Sequence, residues 1–199
     1  GVALFRLSRD NFTDIHARVL LARDCLPRDA LRILDSKAKD ILGIPENILI
    51  ENASRGILEA LKEENILPRC ACIFAGRGNN GADSLALARH LLNRNVDLDV
   101  FLVLNGGSCN KEVQFQLQIL EKIIDKRRIK TLNNKEDLIS LVTDIKSKDL
   151  IIDGMFGIGF RPPLDSFYKD LFVVINNNSR KTIAVDVPSG LSADDGLVD

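Results

Sequence analysis

The sequence contains no run of about 20 consecutive apolar residues, the length that a helix needs to cross a bilayer. Near its start, Arg6, Arg9 and Asp10 interrupt what would have to be the apolar core of a secretion signal. There is no excess of positive charge either, because 27 Lys and Arg are balanced by 28 Asp and Glu, for a formal net charge of −1. Binding to nucleic acid over a broad basic face would require such an excess. We therefore expect neither a membrane nor a nucleic acid as a partner.

Cysteine pairs at metal-binding spacing are also absent. Cys70 and Cys72 are the closest two, and one residue separates them, whereas a zinc site of the common type begins with C-x-x-C. Free thiols in a reducing compartment are the simplest interpretation, so we expect a cytoplasmic protein. The only histidines, His16 and His90, lie outside the loops described below. Acid–base chemistry in those loops would fall to carboxylates.

What the chain does contain is an alternation of short apolar runs and helix-like segments. The apolar runs predict strands at 70–75, 96–104, 129–132, 150–152 and 182–187. Apolar residues at helical spacing predict helices at 29–42, 46–63, 82–92, 112–124, 136–145 and 165–175. The first of these helices should end at Gly43, with Pro45 preventing its continuation. In the second, Ile48, Ile57 and Leu61 are expected on the inward face.

Strands that alternate with helices predict a mostly parallel sheet covered by helices on both faces. The strands are continuously apolar rather than alternating, which agrees with burial on both sides. We expect a Rossmann-like, doubly wound, three-layer α/β/α fold. Residues 1–27 lack a clean period and are predicted to be an N-terminal arm, with one domain at 28–199. Because the chain stops soon after a strand, we expect the domain of the parent protein to continue further.

The first loop of chemical interest runs from Gly76 to Asp83, between a predicted strand and a predicted helix. It matches the dinucleotide pattern G-x-G-x-x-G, in which glycines let the backbone turn sharply and free helix N–H groups favour an anion. Asp97 and Asp99 follow loosely where a ribose-binding acid would stand. Asn79, Asn80 and Asp83 are not explained by that pattern: they either cap the helix or contact a ligand.

Two further loops each follow an apolar strand with an aspartate. Asp153 begins a Gly-rich loop that extends to Pro163, and Asp186 begins the segment that ends at Gly190. Either acid could be a structural carboxylate satisfied by loop amides, since a buried acid requires partners. Together with Asp83, however, these acids should converge at the carboxyl edge of the sheet, where open α/β folds bind their ligands. The sequence thus predicts a small-molecule site at that edge.

Four ordered motifs resemble those of the NAD(P)HX epimerases, built on the YjeF N-terminal domain. Residues 51–55 resemble the family segment E-N-A-G-R, and residues 76–84 resemble G-P-G-N-N-G-G-D-G. Residues 153–159 resemble D-A-x-x-G-x-G, and residues 186–190 resemble D-I-P-S-G. The resemblance covers about 28–199. In the second motif, Arg77 replaces a proline, while Ala82 and Ser84 replace glycines.

The resemblance implies an isomerase that interconverts the R and S hydrates of NADH or NADPH, usually as a homodimer, in nicotinamide cofactor repair. A dehydratase, fused or separate, would then restore the cofactor. By resemblance, Asp186 is the catalytic candidate, and Asp83 is the second, because the reaction requires both a proton donor and a base. Potassium would be held by Asn80, Asp153 and Ser189, whose oxygens suit a hard cation. The residues implied in substrate binding are Asn79, Asn80, Gly81, Ala82, Asp83, Gly157, Ile158, Gly159, Phe160, Arg161, Pro162, Pro163 and Asp186.

Two other functions are compatible with the residues alone. The G-x-G-x-x-G loop would also serve an NAD-dependent oxidoreductase, which has no need of Asn80 or of the loop that follows Asp186. A non-catalytic binding or dimerisation module of the same fold is the other alternative, although such a module need not keep these acids and amides. An assay for epimerisation of hydrated NADH would distinguish the epimerase from these two alternatives.

Overall fold

The computed structural model describes residues 4–7, 18–19, 37 and 39–191. One sheet of seven strands organises them, in the order β2-β1-β7-β6-β3-β4-β5. The strands are β1 Leu4–Leu7, β2 Arg18–Val19, β3 Cys70–Ala75, β4 Asp97–Val103, β5 Ile129–Leu132, β6 Leu150–Gly154 and β7 Thr182–Val185. The five strands from β3 onward are parallel, whereas β1 pairs antiparallel with both β7 and β2. The expected mostly parallel sheet is confirmed.

Helices cover both faces of this sheet. They are α1 Glu46–Glu63, α2 Asn79–Leu92, α3 Lys111–Leu120, α4 Leu141–Lys146 and α5 Ser166–Asn178, with short 3-10 turns at Lys126–Arg128 and Glu136–Leu138. Alternate residues of each strand serve opposite faces. Ile73 joins the core under α1, α2 and α3, whereas its neighbour Phe74 joins the core under α4 and α5 and stacks on Phe101. The three-layer α/β/α prediction is confirmed.

Several helix boundaries differ from those predicted. The helix after the Gly-rich turn begins at Asn79, three residues earlier than the apolar pattern indicates. The single helix predicted at 136–145 is interrupted between Leu138 and Leu141. Ile48 is wrong as an inward residue, because half of its surface is exposed while Ile57 and Leu61 are fully buried.

Part of the first predicted helix, at 29–42, lies outside the described residues. Residues 37, 39 and 40 are helical, and Gly43 has a φ of 65°, as a helix-terminating glycine requires. The predicted N-terminal arm contains β1 and β2, so part of it belongs to the sheet, and its boundary at residue 27 stays a prediction. Within the described ranges, no helix is long and apolar enough to span a bilayer.

Strand order reverses at β3, and this reversal positions the site. From β3 the chain moves outward through β4 to β5 and then returns to lay β6 and β7 on the other side of β3. Ala75 at the end of β3 pairs with Gly154 at the end of β6, and Asp153 pairs with Ala184 near the end of β7. The loops that follow β3, β6 and β7 therefore meet at one edge, beside the point where ligands bind in such sheets.

Candidate active site

A cleft of about 1270 Å³ opens at this carboxyl edge. The turn after β3, the long loop after β6, the residue that follows β7 and the first half of α1 form its walls. Of the residues expected to bind substrate, those that line the cleft are Asn79, Asn80, Asp83, Gly157, Ile158, Gly159, Phe160, Arg161, Pro163 and Asp186. Gly81, Ala82 and Pro162 are not part of its lining. The structure thus brings the two catalytic candidates into one cavity.

Gly76 and Gly81 of the first loop allow close backbone-to-backbone contact, whereas Gly78 lines the cleft and a Cβ there would meet no atom within 4 Å. A Cβ at Gly76 would overlap the carbonyl oxygen of Met155 in the loop after β6, and a Cβ at Gly81 would overlap the carbonyl oxygen of Gly76. Ala82 is fully buried in the core beneath α2, so its methyl group points away from the cleft. The replacement of a family glycine by Ala82 therefore leaves the cavity unchanged.

Asp153 and Ser189 form a buried link directly beneath the cleft. The Ser189 hydroxyl donates to Asp153 Oδ1 at 2.6 Å, and the Ser189 amide donates to Oδ2 at 2.9 Å. The Met155 amide also donates to Oδ1, at 3.1 Å. Burial raises the pKa of Asp153, and these donors oppose that rise. The arrangement ties the loop after β7 to the end of β6.

Asn80 contributes the one unsatisfied polar oxygen of this region among the described residues. Its amide nitrogen donates to the carbonyl of Phe156 at 2.7 Å, which fixes the orientation of the side chain because a carbonyl can only accept. The opposite atom, Oδ1, is buried and has no hydrogen-bond partner. The backbone amide of the same Phe156 donates to Ser189 Oγ at 2.9 Å. Asn80 and Ser189 therefore hold the two sides of one residue.

Asp186 occupies an unusual backbone conformation at the end of β7. Its φ is 70°, in the left-handed region that glycine adopts freely and that asparagine and aspartate adopt more often than other residues. Its Oδ2 accepts the Ile158 amide at 2.7 Å, and a Cβ at Gly157 would press against the same oxygen. The carboxylate is thus set between the loops after β6 and β7, half-buried in the cleft wall. Asp83, on the first turns of α2, lines the same cavity.

Capping does not account for the two asparagines of the first loop. The residue at the N-cap of α2 is Gly78, and no side chain caps there. Asn79 instead donates to Glu46 at 2.9 Å and accepts from Asn110 at 2.8 Å, which joins α1, α2 and the loop after β4. Asn79 is therefore mainly a connector at the cleft rim.

Asp97 and Asp99 lie at the wrong edge for a ribose. Both are near the start of β4, and both bind Lys148 and Arg128, with Lys148 at 3.1 Å and 2.6 Å respectively. The cleft lies at the other end of the strands. The acid that the oxidoreductase interpretation needs is therefore absent from the described part of the cleft edge where it was expected.

Sequence reasoning missed Tyr168, which completes an aromatic wall of the cleft. Tyr168 on α5 lies 4.7 Å from Phe156 between ring centroids, and Phe156 lies 5.1 Å from Phe160. All three line the cavity. Phe156 and Phe160 lie in the loop that was identified, but Tyr168 is brought in by the packing of α5. No local pattern marks it, since its spacing matches that of the buried helix residues around it.

Fold and cavity together define an α/β domain with a carboxylate-containing ligand cleft at the switch point of a parallel sheet. Residues 46–199 match the family described as YjeF-related protein N-terminus, and the chain belongs to that family. The structure is similar to the crystal structure of yeast ynu0, YNL200c, with a TM-score of 0.69 at 22% identity, covering 88% of this chain and 75% of that one. That likeness supports the fold.

Two curated relatives show how this chain compares in sequence. It is 33% identical over 173 residues to the bifunctional NAD(P)H-hydrate repair enzyme Nnr of Dictyoglomus turgidum, covering 85% of this chain and 32% of the relative. It is 30% identical over 165 residues to the NAD(P)H-hydrate epimerase of Leuconostoc citreum, covering 83% of this chain and 69% of the relative. The chain thus spans about a third of the bifunctional relatives and over two thirds of the epimerase.

Proposed function

We propose that this chain is an NAD(P)H-hydrate epimerase, an isomerase that interconverts the R and S hydrates of NADH and NADPH. The observation that carries this proposal is the position of Asp186 in the cleft that Asp83 also lines. Three relatives named for this activity are 30%, 30% and 31% identical to the chain over 165, 158 and 167 residues. Hydrated nicotinamide cofactors are the substrates that those names print.

The chemistry asked of the cleft is removal and return of water. The substrate carries a hydroxyl on the ring carbon next to the nicotinamide nitrogen. Protonation of that hydroxyl releases water and leaves an iminium ion, and addition of water to the opposite face, with loss of a proton, gives the other epimer. A proton donor and a proton acceptor are therefore required. We assign these roles to Asp186 first and Asp83 second, because the described cleft lining contains no histidine.

The geometry of Asp186 suits this role. Bonding to Ile158 N–H, together with close contact from Gly157, holds the carboxylate in one place, and orientation of a reacting group contributes strongly to rate. The aromatic wall of Phe156, Phe160 and Tyr168 gives the cavity apolar surface on which a planar ring can pack.

We further propose that Asn80, Asp153 and Ser189 hold a potassium ion. The buried, unpartnered Oδ1 of Asn80 fits such an ion, because it lacks any other partner among the described residues. Asp153 and Ser189 offer oxygen ligands beside Phe156, although their strongest bonds at present are to one another. A bound cation would supply positive charge at the floor of the cleft and fix the loops that carry the substrate contacts.

A homodimer in the cytoplasm, with a fused or separate dehydratase that uses the product, completes the proposal. The relatives named bifunctional repair enzymes support the link to a second activity.

The direct test is to supply one epimer of hydrated NADH and follow the approach to the equilibrium ratio by chromatography. The purified chain should accelerate this approach, and replacement of potassium by a larger organic cation should slow it. If addition of the chain leaves the rate of epimerisation unchanged, the epimerase assignment is contradicted and the non-catalytic module is favoured. Reduction of a second substrate at the expense of NADH would favour the oxidoreductase.

A further inference from the structure

Arg77 extends from the end of β3 across to the loop that follows β4. Its carbonyl accepts the Asn110 amide at 2.9 Å. Its guanidinium lies over Gly107, because a Cβ built there would overlap Nη1 and come within 3.0 Å of Cζ. Both Arg77 and Asn105 line the cleft. The cleft therefore reaches the loop after β4, and the Arg77 charge stands at that end of it.

This charge is available for a ligand. No ion pair involves Arg77 within the described ranges, whereas Lys39, which also lines the cleft, is paired with Glu46 at 2.7 Å. The Arg77 charge also acts into the cleft: burial raises the pKa of Tyr168, and Arg77 opposes that rise. An unpaired guanidinium at a cleft wall is suited to a phosphate, which it can bind through two parallel hydrogen bonds.

The end of β4 has no acid that would select a ribose hydroxyl. In dinucleotide-binding α/β folds, the adenosine ribose lies beside the strand that follows the Gly-rich turn; an acid there binds the 2′-hydroxyl, and an arginine nearby accommodates a 2′-phosphate. Here that strand is β4, and the residues after it are Leu104, Asn105, Gly106 and Gly107. Glu46 is linked to this loop through Asn79, but Asn79 and Lys39 bind its two oxygens.

We propose that Arg77 binds the 2′-phosphate of the dinucleotide and gives this chain a preference for the hydrate of NADPH over that of NADH. This inference rests on the proposed function for its substrate. Arg77, which replaces a proline of the family pattern, thereby has a role in binding. Gly107 contributes to the same phosphate site, because any side chain there would displace the guanidinium.

The test compares 2′-phospho-ADP-ribose with ADP-ribose, two probes that differ only in the phosphate at issue. Calorimetric titration of the wild-type chain should show tighter binding of the phosphorylated probe. Arg77→Ala should lower the affinity for the phosphorylated probe by about tenfold to a hundredfold, the usual size of a charge-assisted contact. Its affinity for ADP-ribose should stay within about twofold of the wild-type value. Gly107→Ala keeps the charge but moves it, and should lose part of the same preference.

Lys111→Ala is the matched control. Lys111 is a highly exposed cation that follows the same loop but does not line the cleft, so its removal should keep the preference. Equal affinity of the wild-type chain for both probes would overturn the proposal, as would an equal loss on both probes in Arg77→Ala. Thermal melting confirms that each variant is folded. Because binding is measured without turnover, a missing preference is distinguishable from a missing epimerase activity.

Discussion

Asp186 combines a left-handed backbone with a carboxylate that is fixed by the Ile158 amide. Asparagine tolerates the same backbone and can accept the same hydrogen bond, so Asp186→Asn removes the ionisable proton and little else. Acid–base catalysis by one side chain typically contributes about a hundred- to ten-thousand-fold. We expect epimerisation to slow by that range with an unchanged melting temperature. Rates with purified Asp186→Asn on hydrated NADH measure the effect.

Two further variants serve as comparisons for Asp186→Asn. Asp170→Asn removes an exposed carboxylate that pairs with Lys135 outside the cleft, and it should keep full activity. Gly157→Ala leaves Asp186 in place but pushes its carboxylate aside, and it should lower the rate as well. A folded Asp186→Asn chain that works at the wild-type rate would show that Asp83 or another group carries the proton transfer.

Part of the site is visible from single residues in the sequence. Asp153 and Asp186 each end an apolar run, so their convergence at the carboxyl edge follows from parallel strand order. The unpartnered Asn80 Oδ1 and the contact of Arg77 with Gly107 are not visible, because they depend on side-chain directions set by loops remote in sequence. Tyr168 reaches the cleft only through the docking of α5.

At the scale of elements, α2 meets β6 at a contact between Ser84 and Gly154. Ser84 Oγ donates to the Asn80 carbonyl at 2.8 Å and occupies the space that a Cβ of Gly154 would need. In the family pattern, position 84 is glycine and position 154 is alanine. In this chain the glycine is therefore on β6, at position 154, and the larger side chain is on α2, at position 84. Gly154→Ala alone should therefore destabilise the chain by about 1–3 kcal/mol, as overpacking does, measured by urea unfolding.

The double variant Ser84→Gly with Gly154→Ala removes the overlap. Ser84→Gly alone should cost somewhat less than 1 kcal/mol, the difference between a serine and a glycine in a helix. We expect the double variant to be more stable than the sum of the two single effects predicts, since the two sites are in contact. Strict additivity would mean that α2 shifts to accommodate the extra methyl group.

Element boundaries followed the apolar pattern less closely than element types did. The pattern could not see that α2 starts at Asn79, since Asn79, Asn80 and Gly81 are not apolar and the turn is set by packing of Gly76 and Gly81. Nor did it show the break between Leu138 and Leu141: both residues are buried, and they keep a helical spacing across the interruption.

For the molecule as a whole, a charged cluster stabilises the edge opposite the cleft. The nearly buried Lys148 bridges Asp97 and Asp99, and Arg128 also binds both acids. Hydrogen bonds from Arg128 and Lys148 hold the pKa of Asp97 below its ordinary 3.8. For Asp99, burial acts in the opposite direction, but the same two partners still hold its pKa below 3.8.

Lys148→Met should therefore lower the free energy of unfolding by about 1.5–3 kcal/mol at neutral pH, the range for hydrogen bonds to charged groups. Because the folded pKa values are lowered, the stabilisation is present above about pH 4 and is lost as pH falls through those values. The difference in the free energy of unfolding between wild type and Lys148→Met, measured with urea, should therefore become smaller as the pH falls below about 4. Lys122→Met changes an exposed site and should have the same free energy of unfolding as wild type. A difference for Lys148→Met that stays constant down to pH 2 would contradict the stabilising role of this cluster.

The parallel sheet was predictable because βα alternation and buried apolar runs repeat from Cys70 onward. The pairing of β1 with β7 was not, since four residues without a clean period carry no signal of which strand they will join. Antiparallel addition of β1 is decided by long-range packing, and local sequence does not encode it.

That pairing has a consequence for the time scale of motion around Asp186. β7 lies between two strands, with β1 hydrogen-bonded along all four of its residues on one side and β6 on the other, whereas β5 has a single neighbour in the described sheet. Amide hydrogens that are released only by separation of an interior strand exchange with deuterium far more slowly than those at an edge. The backbone that precedes Asp186 should thus be among the last parts of the chain to open, while the rim near β5 exchanges early.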